Sequence, residues 1–179
     1  MPDVLQLSID RMGTPIGELL LVTDEAGKVR AIDWTEYEER MLRLLRIHYG
    51  KDKFSLVPAN NPHGLSDVMN RYFGGEIESL DEIPVKTAGT AFQRSVWKEL
   101  RRIPGGEAIS YGKLAARIDR PSAVRAVGHA NGSNPIGIVV PCHRVVGSDG
   151  SLTGYGGGIE RKRWLLEHER SHVKTRRRA

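Results

Sequence analysis

The chain contains one cysteine, Cys142, set directly before His143 and Arg144 in the stretch VVPCHRVV, residues 139 to 146. The nucleophilic form of cysteine is the thiolate, and a thiol near its free pKa of about 8.5 is only a few per cent ionised at neutral pH. The adjacent imidazole offers a base, and Arg144 with nearby cations favours the anion, so the triplet reads as an activated nucleophile. A buried thiol without such neighbours is commonly inert packing. The stretch itself reads as a buried strand, and successive side chains of a strand point to opposite faces. Cys142 and His143 then meet only if the chain turns after Pro141 or a water bridges them.

Two other patterns could carry chemistry. HERSH, residues 168 to 172, fits the H-E-x-x-H arrangement of zinc proteases, with His168 and His172 one helical turn apart and Glu169 as base. A catalytic zinc requires a third protein ligand, and the tail VKTRRRA supplies none. TGYGGG, residues 153 to 158, is glycine-rich but lacks the Lys-Ser/Thr of a P-loop and any Rossmann spacing.

The elements that must position these residues differ between the two halves. VLQLSID, GELLLVTD and KVRAIDW are short alternating or apolar runs separated by GTPIG and EAGK, the pattern of antiparallel strands joined by turns. TEYEERMLRLLRIHYG follows as an amphipathic helix with Met41, Leu44, Leu45 and Tyr49 on one face, and NPHGLSDVMNRYFGGE as a shorter helix ending at Gly74. TAFQRSVWKELRRIPGG places Phe92, Val96, Trp97 and Leu100 on one stripe, from a cap at Thr90 to a stop at Pro104-Gly105. ISYGKLAARIDRPSAVRAVGHANGSNP reads as two short helices joined by DRPS. Ser110 is placed to cap the first, and Ser122 falls in the first turn of the second. This arrangement is compatible with helix-turn-helix DNA binding. GIERKRWLLEHERSH forms a final amphipathic helix.

At 179 residues, with 39% hydrophobic and 27% charged content, the chain suits a soluble globular protein. No run approaches the 18 or so apolar residues of a membrane span, and MPDVLQLSID is not a secretory signal. A lone cysteine forms no internal disulfide and is too little for a thiolate zinc cluster, so a reduced, cytoplasmic setting is expected. The net charge of +5 is unevenly distributed: residues 1–89 carry 10 Lys/Arg against 15 Asp/Glu, and residues 90–179 carry 17 against 7. A basic second half is suited to a polyanion. The expected division is an α/β domain over residues 1–85 and a second domain over 86–179, with 171–179 as a basic tail.

PCHR between valines, preceded by RAVGHANGSNP and followed by TGYGGG and KRWLLEHE, resembles the O6-alkylguanine-DNA alkyltransferase family, the methylated-DNA–protein-cysteine methyltransferases, in its bacterial stand-alone form. The resemblance is dense over roughly residues 90 to 170 and looser through TPIGELLLV and GLSDVMNRYFGGE. It implies a small RNase H-like α/β domain and a mostly helical second domain with a winged helix-turn-helix-like motif. The implied activity is DNA repair by direct reversal. The alkyl group moves irreversibly from O6-alkylguanine to the protein's own Cys142, with O4-alkylthymine as a second candidate substrate. Cys142 corresponds to the acceptor, His143 to the general base acting through a water, and Glu169 to the residue holding the histidine. Tyr111 corresponds to the donor to the departing guanine, and Asn134 to the support of the active-site turn.

The target base must leave the stack to reach a buried thiol. Arg125 matches the arginine that fills the resulting gap from the minor groove, with Tyr111, Ser122, Ala126 and Asn131 beside it on the DNA-binding surface. Pro141, Val145, Tyr155, Gly156 and Gly157 match the alkyl pocket, whose glycines suggest room beyond a methyl group. The implied partner is double-stranded DNA containing alkylated bases, bound by a monomer capable of cooperative assembly, without a cofactor. Some relatives bind an N-terminal zinc; this half has no cysteine, so no metal is expected. The rivals are a non-catalytic alkylated-base recognition protein, which the presence of Cys142 disfavours, and the zinc protease suggested by HERSH.

Overall fold

The structure, a computed structural model, describes residues 3–178, with side chains described as far as residue 173. Its contacts divide the chain into two units, Met1–Ala88 with Pro135–Gly137, and Gly89–Asn134 with Ile138–Ala179. The expected basic tail begins at 171, and the side chains of 174 to 179 lie outside the described residues.

In the first unit the alternating runs form β1 (Leu5–Thr14), β2 (Gly17–Asp24) and β3 (Val29–Trp34) as an antiparallel meander. β4 (Phe54–Pro58) adds to the other side of β1 in parallel, giving the order β3-β2-β1-β4. α1 (Glu38–Tyr49) packs Met41 and Leu45 with Leu7, Leu20, Val22 and Ala31 of the sheet. Leu44 is only half-buried, and Leu42 packs against this core with Tyr49. α2 (Leu65–Phe73) buries Leu65, Met69 and Tyr72 at helical spacing. The free edge of β3 is partly closed by passing backbone: Val29 N donates to Pro84 O and Ile32 N to Pro135 O, at 2.9 and 3.0 Å. These bonds satisfy groups that an open edge leaves unpaired.

The second unit is mainly helical. α3 (Ala91–Leu100) buries Val96, Trp97 and Leu100. Its N-terminus is a capping box, in which Gln93 N donates to Thr90 Oγ1 at 3.1 Å and Thr90 N to Gln93 Oε1 at 3.0 Å. Gly89 makes the approach feasible: at φ 100°, a Cβ there would lie 2.6 Å from Gln93 Oε1. The helix ends at Leu100, before Pro104-Gly105, because tight turn bonds from Arg102 N to Glu99 O and Ile103 N to Leu100 O take over.

β5 (Ile109–Ser110) precedes α4 (Tyr111–Arg117), whose first turn is capped by Ser110 Oγ accepting from Lys113 N at 3.1 Å. α5 (Val124–Gly132) follows, held to α3 by Trp97 Nε1 donating to Ala130 O at 2.8 Å. β6 (Val145–Val146) pairs in parallel with β5, and α6 (Ile159–Arg178) closes the unit. The chain thus combines a small sheet domain with a helical domain, as the sequence led us to expect. No helix among the described residues is long and apolar enough to cross a membrane.

Loss of the Thr90 side chain removes one half of the capping box. Thr90→Ala is expected to lower unfolding stability by about 1 kcal/mol, read as a lower denaturant midpoint with an unchanged m-value. An unchanged midpoint would show that the cap contributes nothing.

Candidate active site

The segment around the thiol is not a strand. Cys142–Arg144 forms a single 3-10 turn entered through Pro141 at φ −83° and ψ 67°. Cys142 N donates to Val140 O at 2.8 Å and Arg144 N to Pro141 O at 3.0 Å. Extended structure is confined to Val145–Val146. Proline at the turn's entrance fixes φ and requires no donor, which favours this bend over a ladder. The strand expected for this stretch is thus replaced by a turn at Cys142. Side-chain amides brace it: Asn134 Nδ2 donates to Val140 O at 2.7 Å, and Asn131 Nδ2 to Cys142 O at 3.4 Å.

His143 and Glu169 are both fully buried, with Nε2 of the imidazole 2.7 Å from Oε1 of the carboxylate. Arg144 grips the same carboxylate twice, Nε to Oε2 and Nη2 to Oε1, each at 2.9 Å, and its Nη1 donates to Ile103 O at 2.7 Å. The sequence suggested that Arg144 favours the thiolate. Its charge is instead matched by Glu169, because a planar guanidinium fits a carboxylate in a two-bond fork.

Burial opposes the charge on Glu169, but the hydrogen bonds of His143 and Arg144, with the guanidinium charge of Arg144, outweigh it and hold the carboxyl well below its usual range. Burial pushes His143 below the ordinary histidine range, against the pull of Glu169, with Arg144 and Lys162 adding to the lowering. Its imidazole is therefore neutral at neutral pH. A carboxylate only accepts, so Nε2 carries the proton and Nδ1 is a bare acceptor. That Nδ1 is buried and has no hydrogen-bond partner.

A second group of contacts converges on the carbonyl of Thr153, in the glycine-rich loop. Lys162 Nζ donates to it at 2.8 Å and Tyr111 Oη at 3.4 Å. Lys162 has no exposed surface. Sequence reasoning passed over it because a lysine in GIERKRWLLEHERSH reads as part of a solvated face. Its spacing from Glu169, seven residues or about two turns, was the available signal that the two share a buried stripe.

The remaining site residues are distributed less uniformly than expected. Arg125 and Ala126 are exposed on α5. Arg125, Tyr111, Gly128, His129, Gly132 and Ser133 line an open concavity of about 590 Å³. Ser122 lies in the turn before α5, not in its first helical turn, and Ala123 is the N-cap. Asn131 is only 3% exposed and faces the Cys142 turn, so it sits behind the expected DNA-binding surface. Pro141, Val145 and Gly157 are buried, Tyr155 is half-buried and Gly156 is exposed.

The HERSH histidines do not frame Glu169 as ligands would. His168 stacks on Trp164 with ring centroids 4.6 Å apart, and His172 Nδ1 bonds His168 O at 2.7 Å. Glu169 meanwhile serves His143 and Arg144.

The chain is similar to known proteins in sequence and in fold. Residues 91–171 match the family described as 6-O-methylguanine DNA methyltransferase, DNA binding domain. The methylated-DNA–protein-cysteine methyltransferase of Shigella flexneri is 53% identical over 166 residues, covering 93% of this chain and 97% of that relative. Its namesake in Haemophilus influenzae is 58% identical over 157 residues, covering 88% and 83%. The structure of Mycobacterium tuberculosis OGT in complex with DNA superposes with a TM-score of 0.75 at 40% identity, covering 92% of this chain and 94% of that one. With a relative this similar spanned almost end to end, the chain belongs to the methylated-DNA–protein-cysteine methyltransferase family.

Proposed function

We propose that this protein repairs alkylated DNA by a single, irreversible transfer of the alkyl group from O6-alkylguanine to Cys142. The observation that carries the reading is the buried His143–Glu169 pair, whose geometry leaves Nδ1 as an unshared acceptor one residue from the chain's lone thiol. In this scheme the thiol proton passes through a water to Nδ1, and the thiolate sulfur attacks the alkyl carbon. The S–C bond forms as the C–O6 bond breaks, and the electron pair stays on the guanine. Tyr111, whose one hydroxyl proton faces the Thr153 carbonyl in this structure, turns it to the departing base. Glu169 orients His143 and Asn134 supports the turn. The product is a thioether, which water does not cleave as it would a thioester, so each molecule acts once.

The substrate is a base flipped out of double-stranded DNA. Arg125, exposed beside Ala126 on the rim of the concavity, is placed to fill the vacated stack, with Ser122 on the preceding turn. Pro141, Val145, Tyr155, Gly156 and Gly157 form the walls met by the alkyl group, and O4-alkylthymine is the second substrate to be tried. The protein acts as a monomer in the cytoplasm. The mechanism uses no cofactor.

Incubation with duplex DNA carrying radiolabelled O6-methylguanine is expected to place one label per chain on Cys142, located by peptide mass spectrometry, and none on Cys142→Ala. Label that stays on DNA while the protein still binds it would make this a lesion-recognition protein instead.

The sign of the pH dependence follows from burial. His143 is lowered, so its neutral, proton-accepting form persists into acid. The transfer rate should be level from about pH 8 to pH 6.5, the ordinary histidine value, and fall only below that. A fall centred at or above the ordinary value would contradict His143 as the base.

A further inference from the structure

We infer that Ile138 is a positioning residue for alkyl transfer, whose left-handed backbone turns the chain so that the Val140 carbonyl can fix Cys142 in place. The inference rests on the reading of Cys142 as the acceptor and goes beyond it by assigning what sets the path of the thiol's own loop. Ile138 has φ 70°. A β-branched residue rarely adopts that region, because its Cβ crowds the following carbonyl. Such strain persists only where the surroundings leave the residue no other conformation, and it gathers at functional sites. Ile138 has no exposed surface and lies four residues before Cys142.

The constraints on either side of Ile138 are hydrogen bonds. Before it, Ile32 N donates to Pro135 O at 3.0 Å and Gly137 N to Ile32 O at 3.2 Å, which holds Pro135–Gly137 against β3. After it, Val140 O accepts from two donors, Asn134 Nδ2 at 2.7 Å and Cys142 N at 2.8 Å. Six extended residues would span about 20 Å, so the bond between Asn134 and Val140 demands that the chain fold back between them. Ile138 is the residue of 134–140 with positive φ, and there the chain turns. The neighbouring glycine would turn without strain, but Gly137 is committed to Ile32 O. A turn one residue earlier would break that bond and carry Val140 O away from Asn134 and the Cys142 amide. The isoleucine therefore takes the strained conformation, and its buried side chain keeps the chain from relaxing out of it. Asn134 braces a carbonyl that Ile138 has delivered.

The test follows single-turnover methyl transfer against the concentration of duplex DNA carrying O6-methylguanine, for the native chain, Ile138→Gly, Ile138→Ala and Ile138→Val. Thermal melts give the folded fraction of each. Glycine accepts φ 70° but takes other conformations as readily, and alanine loses the buried anchor. Valine keeps the branching and most of the volume. The inference predicts that Gly and Ala lower the plateau rate per folded chain about tenfold, the scale of a small misplacement of a reacting group. The half-saturating DNA concentration stays unchanged, and Val restores the native plateau. In a double-mutant cycle, Ile138→Gly adds no further loss to Asn134→Ala, because both act on Val140 O.

Native plateaus in folded Gly and Ala overturn the inference, as does a loss carried by the half-saturating concentration or a Val variant as slow as Gly. Additive losses in the cycle overturn it too. If neither Gly nor Ala folds, Ile138 is a packing residue on which the fold depends, and the assignment fails. Failure of transfer by the native chain sinks Cys142 as acceptor, whereas native transfer with unmoved variants sinks only the assignment of Ile138.

Discussion

A carboxylate with no solvent contact must find its whole compensation inside the protein, and Glu169 is such a group. Removing it from water costs several kcal/mol, and only good geometry recovers that cost. The compensation comes from the two residues that follow the cysteine, His143 at 2.7 Å and Arg144 with two bonds at 2.9 Å. Those bonds dictate that α6 lie against the Cys142–Arg144 turn and that the turn be a turn. A strand would send His143 and Arg144 to opposite faces, and one carboxylate could not bind both. Ile103 O, accepting from Nη1 of Arg144, ties the loop after α3 to the same centre.

The electrostatic consequence is a division of labour. Because the guanidinium of Arg144 pairs with Glu169 through two bonds, His143 need not be protonated to be held. Burial leaves it neutral, and the carboxylate fixes which nitrogen carries the proton. The same pairing removes Arg144 as a partner for the thiolate. The H-E-x-x-H spelling of residues 168–172 is likewise coincidental to the use of its glutamate, since a base for metal-bound water cannot also be the doubly bonded partner of a buried guanidinium.

Much of this was legible in the sequence, and the limits have physical causes. The meander, α1, the Thr90 cap and the Ser110 cap follow from periodicity and side-chain oxygens, which are local signals. The pairing of Cys142–His143 with Glu169 was readable through the resemblance to the family. The turn at Cys142 was masked by its flanking valines, whose strand propensity is outweighed by the proline and by the need to reach Glu169. Pro135–Gly137 bonding to β3 is a long-range pairing of a short segment with no periodicity of its own. Lys162 was passed over, and Asn131 assigned to the DNA-binding surface, for a related reason: polar residues on amphipathic elements look solvated until the partners that bury them are known. Ser122 lies two residues before α5, whose N-cap, Ala123, uses no side-chain oxygen and so leaves no signal for where the helix begins.

The claim on which the account rests is that Glu169 holds His143 as a neutral imidazole protonated on Nε2, leaving Nδ1 free to accept the thiol proton. Nitrogen chemical shifts of histidine-labelled protein at neutral pH, with His143 assigned by substitution, measure this directly. The account predicts a pyrrole-type shift at Nε2 and a pyridine-type shift at Nδ1. Two protonated nitrogens, or a proton on Nδ1 instead, would contradict it.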